Sequence, residues 1–200
     1  MSSYSIPSVI ERTRTGERAT DIYSRLLSER IVYLGTPIDD GVANVVIAQL
    51  LYLESESSET EIGIYLNSAG GDPTAALGIY DTMQFINAPV LTTCVGQVAG
   101  PAAVLLAAGA PGRRTVLPHA RAVLQQPGQG GTRGDVPDLQ VAAKEIARLR
   151  AELEAILSRH TGRESAQIHA DTERDLVLGA DQAVEYGLVD AVLESRKAAQ

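Results

Sequence analysis

The 200-residue sequence contains a single cysteine, Cys94, and only three histidines. One cysteine cannot form an intrachain disulfide or a structural zinc site built on several thiolates, and its isolation fits a reducing compartment. The histidines are scattered along the chain and do not make a metal site. We therefore expect no metal and no cofactor.

Long apolar runs and an excess of basic residues are also missing. No apolar stretch approaches the roughly 18 residues needed to span a bilayer, and the first residues lack the basic and apolar regions of a signal peptide. The formal net charge of -8 argues against a nucleic-acid partner or an anionic membrane surface. Together these absences predict a soluble cytoplasmic protein that binds neither nucleic acid nor membrane.

Apolar periodicity predicts strands that alternate with helices, which is typical of the α/β class. The longest expected helix ends at Gly162, and its apolar stripe either contacts another subunit or covers its own sheet. The expected strands are 31–34, 62–66, 90–95, 114–117, 122–125 and 188–193. The expected helices are 20–29, 41–54, 74–85, 101–108, 138–159, 165–170 and 180–186.

A glycine-containing turn, Asn67–Gly71, separates a predicted strand from a predicted helix. Paired glycines let backbone N–H groups approach a ligand or a reacting carbonyl closely. Taken alone, these residues are better explained as a structural turn. A phosphate loop is disfavoured because no Gly-Lys-Ser/Thr continuation follows.

Further segments with recognisable patterns are Gly16–Arg18, Asp21–Leu27, Ile79–Met83, Val95–Ala102, Gln126–Pro127, His160–Gly162, Asp171–Asp175 and Glu185–Asp190. In this order along the chain they resemble segments of the Clp protease proteolytic subunit (ClpP) family, and the resemblance covers nearly the whole sequence. The resemblance implies a crotonase-like α/β superhelix of β-β-α units with a protruding handle helix. It also implies an axial arm at 1–18, one domain at 19–195 with the handle at about 128–160, and a tail at 196–200. The implied assembly is a tetradecamer of two stacked heptameric rings.

The resemblance places the family's catalytic positions on residues that cannot perform its chemistry. The nucleophile position is Gly100, and glycine has no side-chain oxygen. The general-base position is Gln125, whose amide has no titratable group near neutral pH. The acid position is Asp175, which is retained. The two backbone donors of the oxyanion hole fall at Gly71 and at Pro101, which has no N–H.

The side chains that could replace the lost nucleophile and base are two candidate nucleophiles and three histidines. Ser68 lies in the glycine turn and Cys94 in a predicted strand, and neither has a histidine at a recognisable position. The histidines are His119, His160 and His169.

The resemblance also bears on partners. The family docks its ATPase unfoldase in an apolar pocket, and the matching positions here are Gly63, Tyr65, Thr93, Val95, Thr115 and Leu117. Gly63, Thr93 and Thr115 replace larger apolar residues, so we expect weaker docking. The indications for ring–ring contact conflict: the loop at 128–134 is one residue longer than the family's, whereas Arg174, which helps to join the rings, is kept.

We therefore expect a degenerate, ClpR-like family member that acts as a non-catalytic structural or regulatory subunit of a Clp protease complex. It would assemble with itself or with active Clp peptidase subunits, and a Clp ATPase unfoldase is a further expected partner. Two alternatives stay open. The chain is an active ATP-dependent Clp-type endopeptidase with an unrecognised nucleophile, or it is a decoy that binds ligands directed at the active peptidase.

Overall fold

The computed structural model describes residues 6–13, 16–127 and 135–194, which form a two-stranded hairpin, a seven-stranded sheet and the helices around it. The α/β prediction is confirmed. The strands are β1 (Ser8–Thr13), β2 (Gly16–Asp21), β3 (Ile31–Leu34), β4 (Ile62–Ser68), β5 (Val90–Ala99), β6 (Arg114–Val116), β7 (Arg121–Leu124), β8 (Leu176–Leu178) and β9 (Ala191–Val192). The helices are α1 (Ile22–Ser28), α2 (Asp40–Glu56), α3 (Pro73–Phe85), α4 (Pro101–Ala107), α5 (Val136–Thr161), α6 (Ser165–Asp171) and α7 (Ala180–Tyr186).

The large sheet divides at β5. Strands β3, β4, β5, β6 and β9 lie side by side in parallel, and the second half of β5 pairs with β7 instead of β6. Strand β8 then pairs antiparallel with β7, with Leu124 opposite Leu176. This division brings the ends of three strands together: the C-terminal end of β5, the C-terminal end of β7 and the N-terminal end of β8.

Helix α4 lies entirely in the core, directly after β5. Every residue from Pro101 to Ala107 is buried, and the helix packs against both β5 and α5. Because all seven side chains are apolar, burial of the whole helix is favourable at about 25 cal/mol per Å². The turn between β5 and α4 is therefore held between two fixed elements.

Helix α5 is 26 residues long and only its second half is covered by the rest of the chain. Its buried residues are Leu149, Leu153, Ile156 and Leu157. In the first half, Val136, Leu139 and Val141 are exposed. Gly162 caps the end of the helix, as predicted; it adopts a φ of 74° and donates its N–H to the carbonyl of Ser158.

The sequence did not predict the hairpin or strand β8. The residues of β1 and β2 form an antiparallel pair outside the large sheet, before α1 begins at its N-cap Asp21. The predicted loop at 128–134 lies outside the described residues, as do residues 1–5, 14–15 and 195–200.

Candidate functional site

Gly100 forms the sharp turn between β5 and α4. Its φ is 49° and its ψ is -120°, a conformation in the half of backbone space that favours glycine. The Gly100 N–H donates to the carbonyl of Val123 at 2.9 Å, and its carbonyl accepts from the N–H of Ala103 at 3.0 Å. The turn is thus tied to β7 on one side and to α4 on the other.

Gln125, immediately after β7, lies against this turn. A Cβ atom placed on Gly100 would be 3.2 Å from Nε2 and 3.3 Å from Cγ of Gln125. The Gln125 side chain is half-buried and has no hydrogen-bond partner among the residues that the structure describes. The structure therefore brings the two positions predicted for nucleophile and base into contact, although neither side chain has the required group.

Asp175 lies near Gln125 because of the position of β8 in the sheet. It immediately precedes that strand, and Gln125 immediately follows β7, so the pairing of Leu124 with Leu176 sets both residues at one end of the β7–β8 ladder. Both line a cleft of about 450 Å³. Asp175 is exposed and makes no hydrogen bond or ion pair within the described part of the chain.

Gly71 and Pro101, the two positions predicted for the oxyanion hole, line this cleft as well. Gly71 has a φ of 143°, and a Cβ atom there would overlap the backbone of Ile38. Its N–H has no partner among the described residues. Pro101 is the first residue of α4 and offers no N–H. The site thus keeps one of the two backbone donors predicted for it.

A second, smaller cavity of about 20 Å³ adjoins Gly100 and Gln125. Apolar side chains line one part of its wall, and the side chains of Arg150 and Glu154 line another. Sequence reasoning missed both charged residues. The signal available was their four-residue spacing beside the apolar stripe of α5, which places them on the same face as Leu153 and Leu157.

Ser68 is buried, and its hydroxyl is hydrogen-bonded within the turn. Its hydroxyl donates to the carbonyl of Gly70 and accepts from the Gly70 N–H, each at 3.2 Å. No histidine hydrogen-bonds to it among the described residues. Nothing in these contacts activates the Ser68 hydroxyl.

Cys94 is fully buried in β5, with its sulfur 3.9 Å from the carbonyl oxygen of Arg121. Burial raises the pKa of the thiol to about 11, so it is protonated at neutral pH.

We expect iodoacetamide to leave Cys94 unmodified in the native protein near pH 8, and to add one carbamidomethyl group after unfolding in urea. Intact-mass spectrometry distinguishes the two states. Rapid modification of the native protein would show that the thiol is accessible and would restore Cys94 as a candidate nucleophile.

The histidines lie in three separate environments. His119 is exposed between β6 and β7. His160 Nε2 is 3.2 Å from the Tyr80 hydroxyl, and burial, with added repulsion from Arg114 and Arg159, lowers its pKa. His169 Nδ1 is 3.0 Å from Glu154 Oε1. The residues that the structure describes contain no group of three or more metal-binding side chains.

Three positions of the predicted unfoldase pocket form one row across the sheet. Register pairs Tyr65 of β4 with Thr93 of β5, and Thr93 with Thr115 of β6. The hydroxyls of Thr93 and Thr115 hydrogen-bond to each other at 2.9 Å. The remaining positions are Gly63, Val95 and Leu117, which are half-buried. The row therefore combines an aromatic ring with a polar pair.

Arg174 is exposed and makes no ion pair with another described residue. Among the helices described, none is long and apolar enough to cross a membrane.

Comparison with known proteins gives consistent results over the full chain. A sequence model of the Clp protease family matches residues 14–196. The chain is 61% identical over 197 residues to ATP-dependent Clp protease proteolytic subunit 1 of Nocardia farcinica, covering 98% of this chain and 100% of that protein. It is 60% identical over 198 residues to proteolytic subunit 2 of Streptomyces avermitilis, covering 99% of each. It is 57% identical over 193 residues to proteolytic subunit 4 of Rhodococcus jostii, covering 96% of this chain and 99% of that protein.

Proposed function

The chain belongs to the Clp protease family, and on that premise we propose that it is a non-catalytic subunit of a Clp peptidase complex. The observation that carries the proposal is the contact between Gly100 and Gln125. A peptidase of this kind needs a nucleophilic oxygen at the first position and a proton acceptor at the second. The chain supplies neither.

The remaining groups do not compensate for this loss. Asp175 in a triad orients a histidine and stabilises its charged form, and here the neighbouring side chain is an amide. Gly71 retains its N–H, but Pro101 removes the second donor, which lowers a rate by about 10²–10³ by itself. Ser68 and Cys94 are buried without a base. The same contacts argue against an active endopeptidase that uses either residue.

A role as a ring subunit is supported by apolar side chains that this chain leaves uncovered. They lie on α2 and α3, where Val45 is 58% exposed, Leu51 45%, Tyr52 52% and Phe85 81%. Large exposed apolar groups in one region mark contact surfaces between proteins. We assign them to the contact with a neighbouring subunit, in heptameric rings that stack through α5 and Arg174.

The proposed subunit would change how the complex binds its ATPase. The row containing Tyr65, Thr93 and Thr115 buries less apolar surface against an incoming loop than larger apolar side chains would, at about 25 cal/mol per Å². A ring rich in this chain would therefore bind a Clp ATPase unfoldase more weakly than a ring of active subunits. Titration of both rings with the same ATPase measures the difference.

Native mass spectrometry tests the assembly directly. We expect the purified chain, mixed with an active Clp peptidase subunit from the same cell, to form mixed tetradecamers whose peptide cleavage per active subunit is altered. The chain alone should cleave nothing. The variant F85S should enter mixed particles poorly, whereas E59Q, which changes an exposed residue outside the apolar region, should enter them normally.

Two results would contradict the proposal. Cleavage by the chain alone that D175A abolishes would show a working active site. A chain that stays apart from the active subunit and leaves its cleavage unchanged would exclude the ring role.

A further inference from the structure

The last turn of α5 is joined to α3 through the side chains of His160 and Tyr80. Tyr80 is buried, and its hydroxyl lies 3.2 Å from His160 Nε2. The two rings meet edge to face, with their centroids 5.7 Å apart and their planes at 83°. Aromatic rings favour this arrangement. The contact therefore combines ring packing with a hydrogen bond, and neither residue lines the cleft that holds Gln125 and Asp175.

Arg159 determines the direction of the hydrogen bond between the two rings. Its Nη1 donates to the Tyr80 oxygen at 3.2 Å. The Tyr80 oxygen thus already accepts a hydrogen, and its own hydrogen is directed to Nε2 of His160, where a neutral imidazole carries a lone pair. A protonated imidazole has a hydrogen on both ring nitrogens and cannot accept this bond. The bond therefore requires His160 in its neutral form.

The charged groups that act on the imidazole are two guanidinium groups. Arg159 precedes His160 on α5, and Arg114 of β6 donates from Nη1 to the carbonyl oxygen of His160 at 2.8 Å. The carboxylate of Asp190 is bound to Arg114, which donates to it from Nε at 3.0 Å. In the part of the chain that the structure describes, no carboxylate pairs with the imidazole itself. A positive charge on His160 would therefore face two positive charges without a counter-ion.

These surroundings keep His160 uncharged. Its place in the last turn of α5 would by itself favour a cation, because the carbonyl groups at a helix end attract positive charge. Burial, with added repulsion from Arg114 and Arg159, nevertheless lowers the pKa of His160 below the ordinary 6.5. The stabilisation that the neutral ring provides is complete above pH 6.5 and is lost as the pH falls through the lowered pKa.

A cavity of about 290 Å³ adjoins the imidazole between the ends of α3 and α4. Its lining includes Met83 and Gln84 of α3 and the residues 108–111, and none of these side chains is charged. His160 itself is half-buried. A charged ring can therefore turn into this open space and become hydrated without displacing a side chain of the core.

We propose that Tyr80 and His160 form an acid-released latch, in which the neutral imidazole holds the last turn of α5 against α3 and protonation of the ring releases that turn. Arg159 directs the phenol hydrogen towards the neutral ring and repels the charged one. Because α6 begins at Ser165, release also loosens the connection between α5 and α6. The latch is a regulatory device that does not depend on the proposed function.

Hydrogen–deuterium exchange with mass spectrometry tests the latch on the purified full chain at pH 7.5, 6.0 and 4.5. After correction for the intrinsic effect of pH on amide exchange, protection of residues 157–163 should fall about fivefold between pH 7.5 and pH 4.5, as expected for the loss of one hydrogen bond. The midpoint of this change should coincide with titration of the His160 imidazole followed by NMR. The signal is readily assigned, because the chain contains only three histidines.

Matched variants separate the latch from a general effect of acid. H160Q carries an amide that does not titrate, so its protection should not depend on pH in this range. Y80F lacks the hydroxyl, and its protection should already be low at pH 7.5 and change less than about twofold with acid. H119Q removes an exposed imidazole between β6 and β7 and should retain the full response.

Three outcomes would overturn the inference. The first is corrected protection of residues 157–163 that is the same at pH 7.5 and pH 4.5. The second is an H160Q variant that responds to acid as the original chain does. The third is a midpoint that differs from the titration of His160. If Y80F does not fold, H160Q and the NMR titration still decide the question.

Discussion

The triple variant G100S/P101A/Q125H is expected to cleave a fluorogenic peptide that the original chain leaves intact. Serine supplies the nucleophile, histidine the base, and alanine restores the N–H that Pro101 lacks. The gain spans up to about 10⁶, since removal of a complete triad lowers kcat by that order. Initial rates at equal enzyme concentration, in mixed and in single-species particles, measure the effect.

The controls follow from the contacts at the turn. G100S alone should stay inactive, because its Cβ would lie 3.2 Å from Gln125 Nε2 and no base is present. Adding D175N to the triple variant should lower the rate by about 10⁴, as expected when a histidine loses its orienting partner. If the triple variant folds correctly but does not cleave the peptide, the assignment of Gly100, Gln125 and Asp175 to one catalytic arrangement is wrong.

Loss of Arg114 is expected to destabilise the fold strongly. The guanidinium donates from Nε to Asp190 Oδ2 at 3.0 Å and from Nη1 to the carbonyls of His160 and Gly187 at 2.8 and 3.1 Å. The Arg114 and Asp190 side chains are 11% and 22% exposed. R114M leaves a largely buried carboxylate and two carbonyls without a partner, which should lower the free energy of unfolding by about 3–5 kcal/mol.

Urea denaturation of R114M and R113M provides the comparison. Arg113 pairs with Glu61 at the surface, where its side chain is 56% exposed, so R113M should change stability by less than about 1 kcal/mol. A similar small loss in both variants would show that the Arg114 network does not stabilise the fold.

Acid should weaken the same network. Burial alone would raise the pKa of Asp190, but hydrogen bonds and charge from Arg114 outweigh it and lower that pKa below the ordinary 3.8. The resulting stabilisation is complete above pH 3.8 and is lost as the pH falls through the lowered pKa. R114M should therefore lose less stability over this acid range than the original chain.

Local patterns predicted the larger elements because those elements carry a clear periodicity. The spacing of apolar residues alone was enough to predict the apolar stripe of α5 and the strand 31–34. Strand β8 was not predicted because its three residues, Leu176–Leu178, are too few to show an alternation of apolar and polar side chains. The hairpin was not predicted because its two strands are polar. Backbone hydrogen bonds hold them together, and such bonds do not depend on side-chain composition.

The site could be predicted only in part for a related reason. The resemblance to a family supplied Gly100, Gln125 and Asp175, whereas periodicity alone marks none of them. Residues such as Arg150 and Glu154 look like a surface ion pair on a helix in the sequence. Only the packing of α5 against the turn shows that they line a cavity, because that proximity joins segments about fifty residues apart.

The turn at residue 100 has a consequence for folding. A side chain at φ 49° would strain the backbone by an amount on the order of 1–2 kcal/mol. Glycine adopts the same turn without this strain, so the backbone of this chain is more relaxed at residue 100. The strain energy that glycine avoids is comparable to the effect of a typical destabilising mutation on the free energy of unfolding. Departures such as Pro101 and Gln125 can therefore accumulate around the turn while the scaffold stays folded.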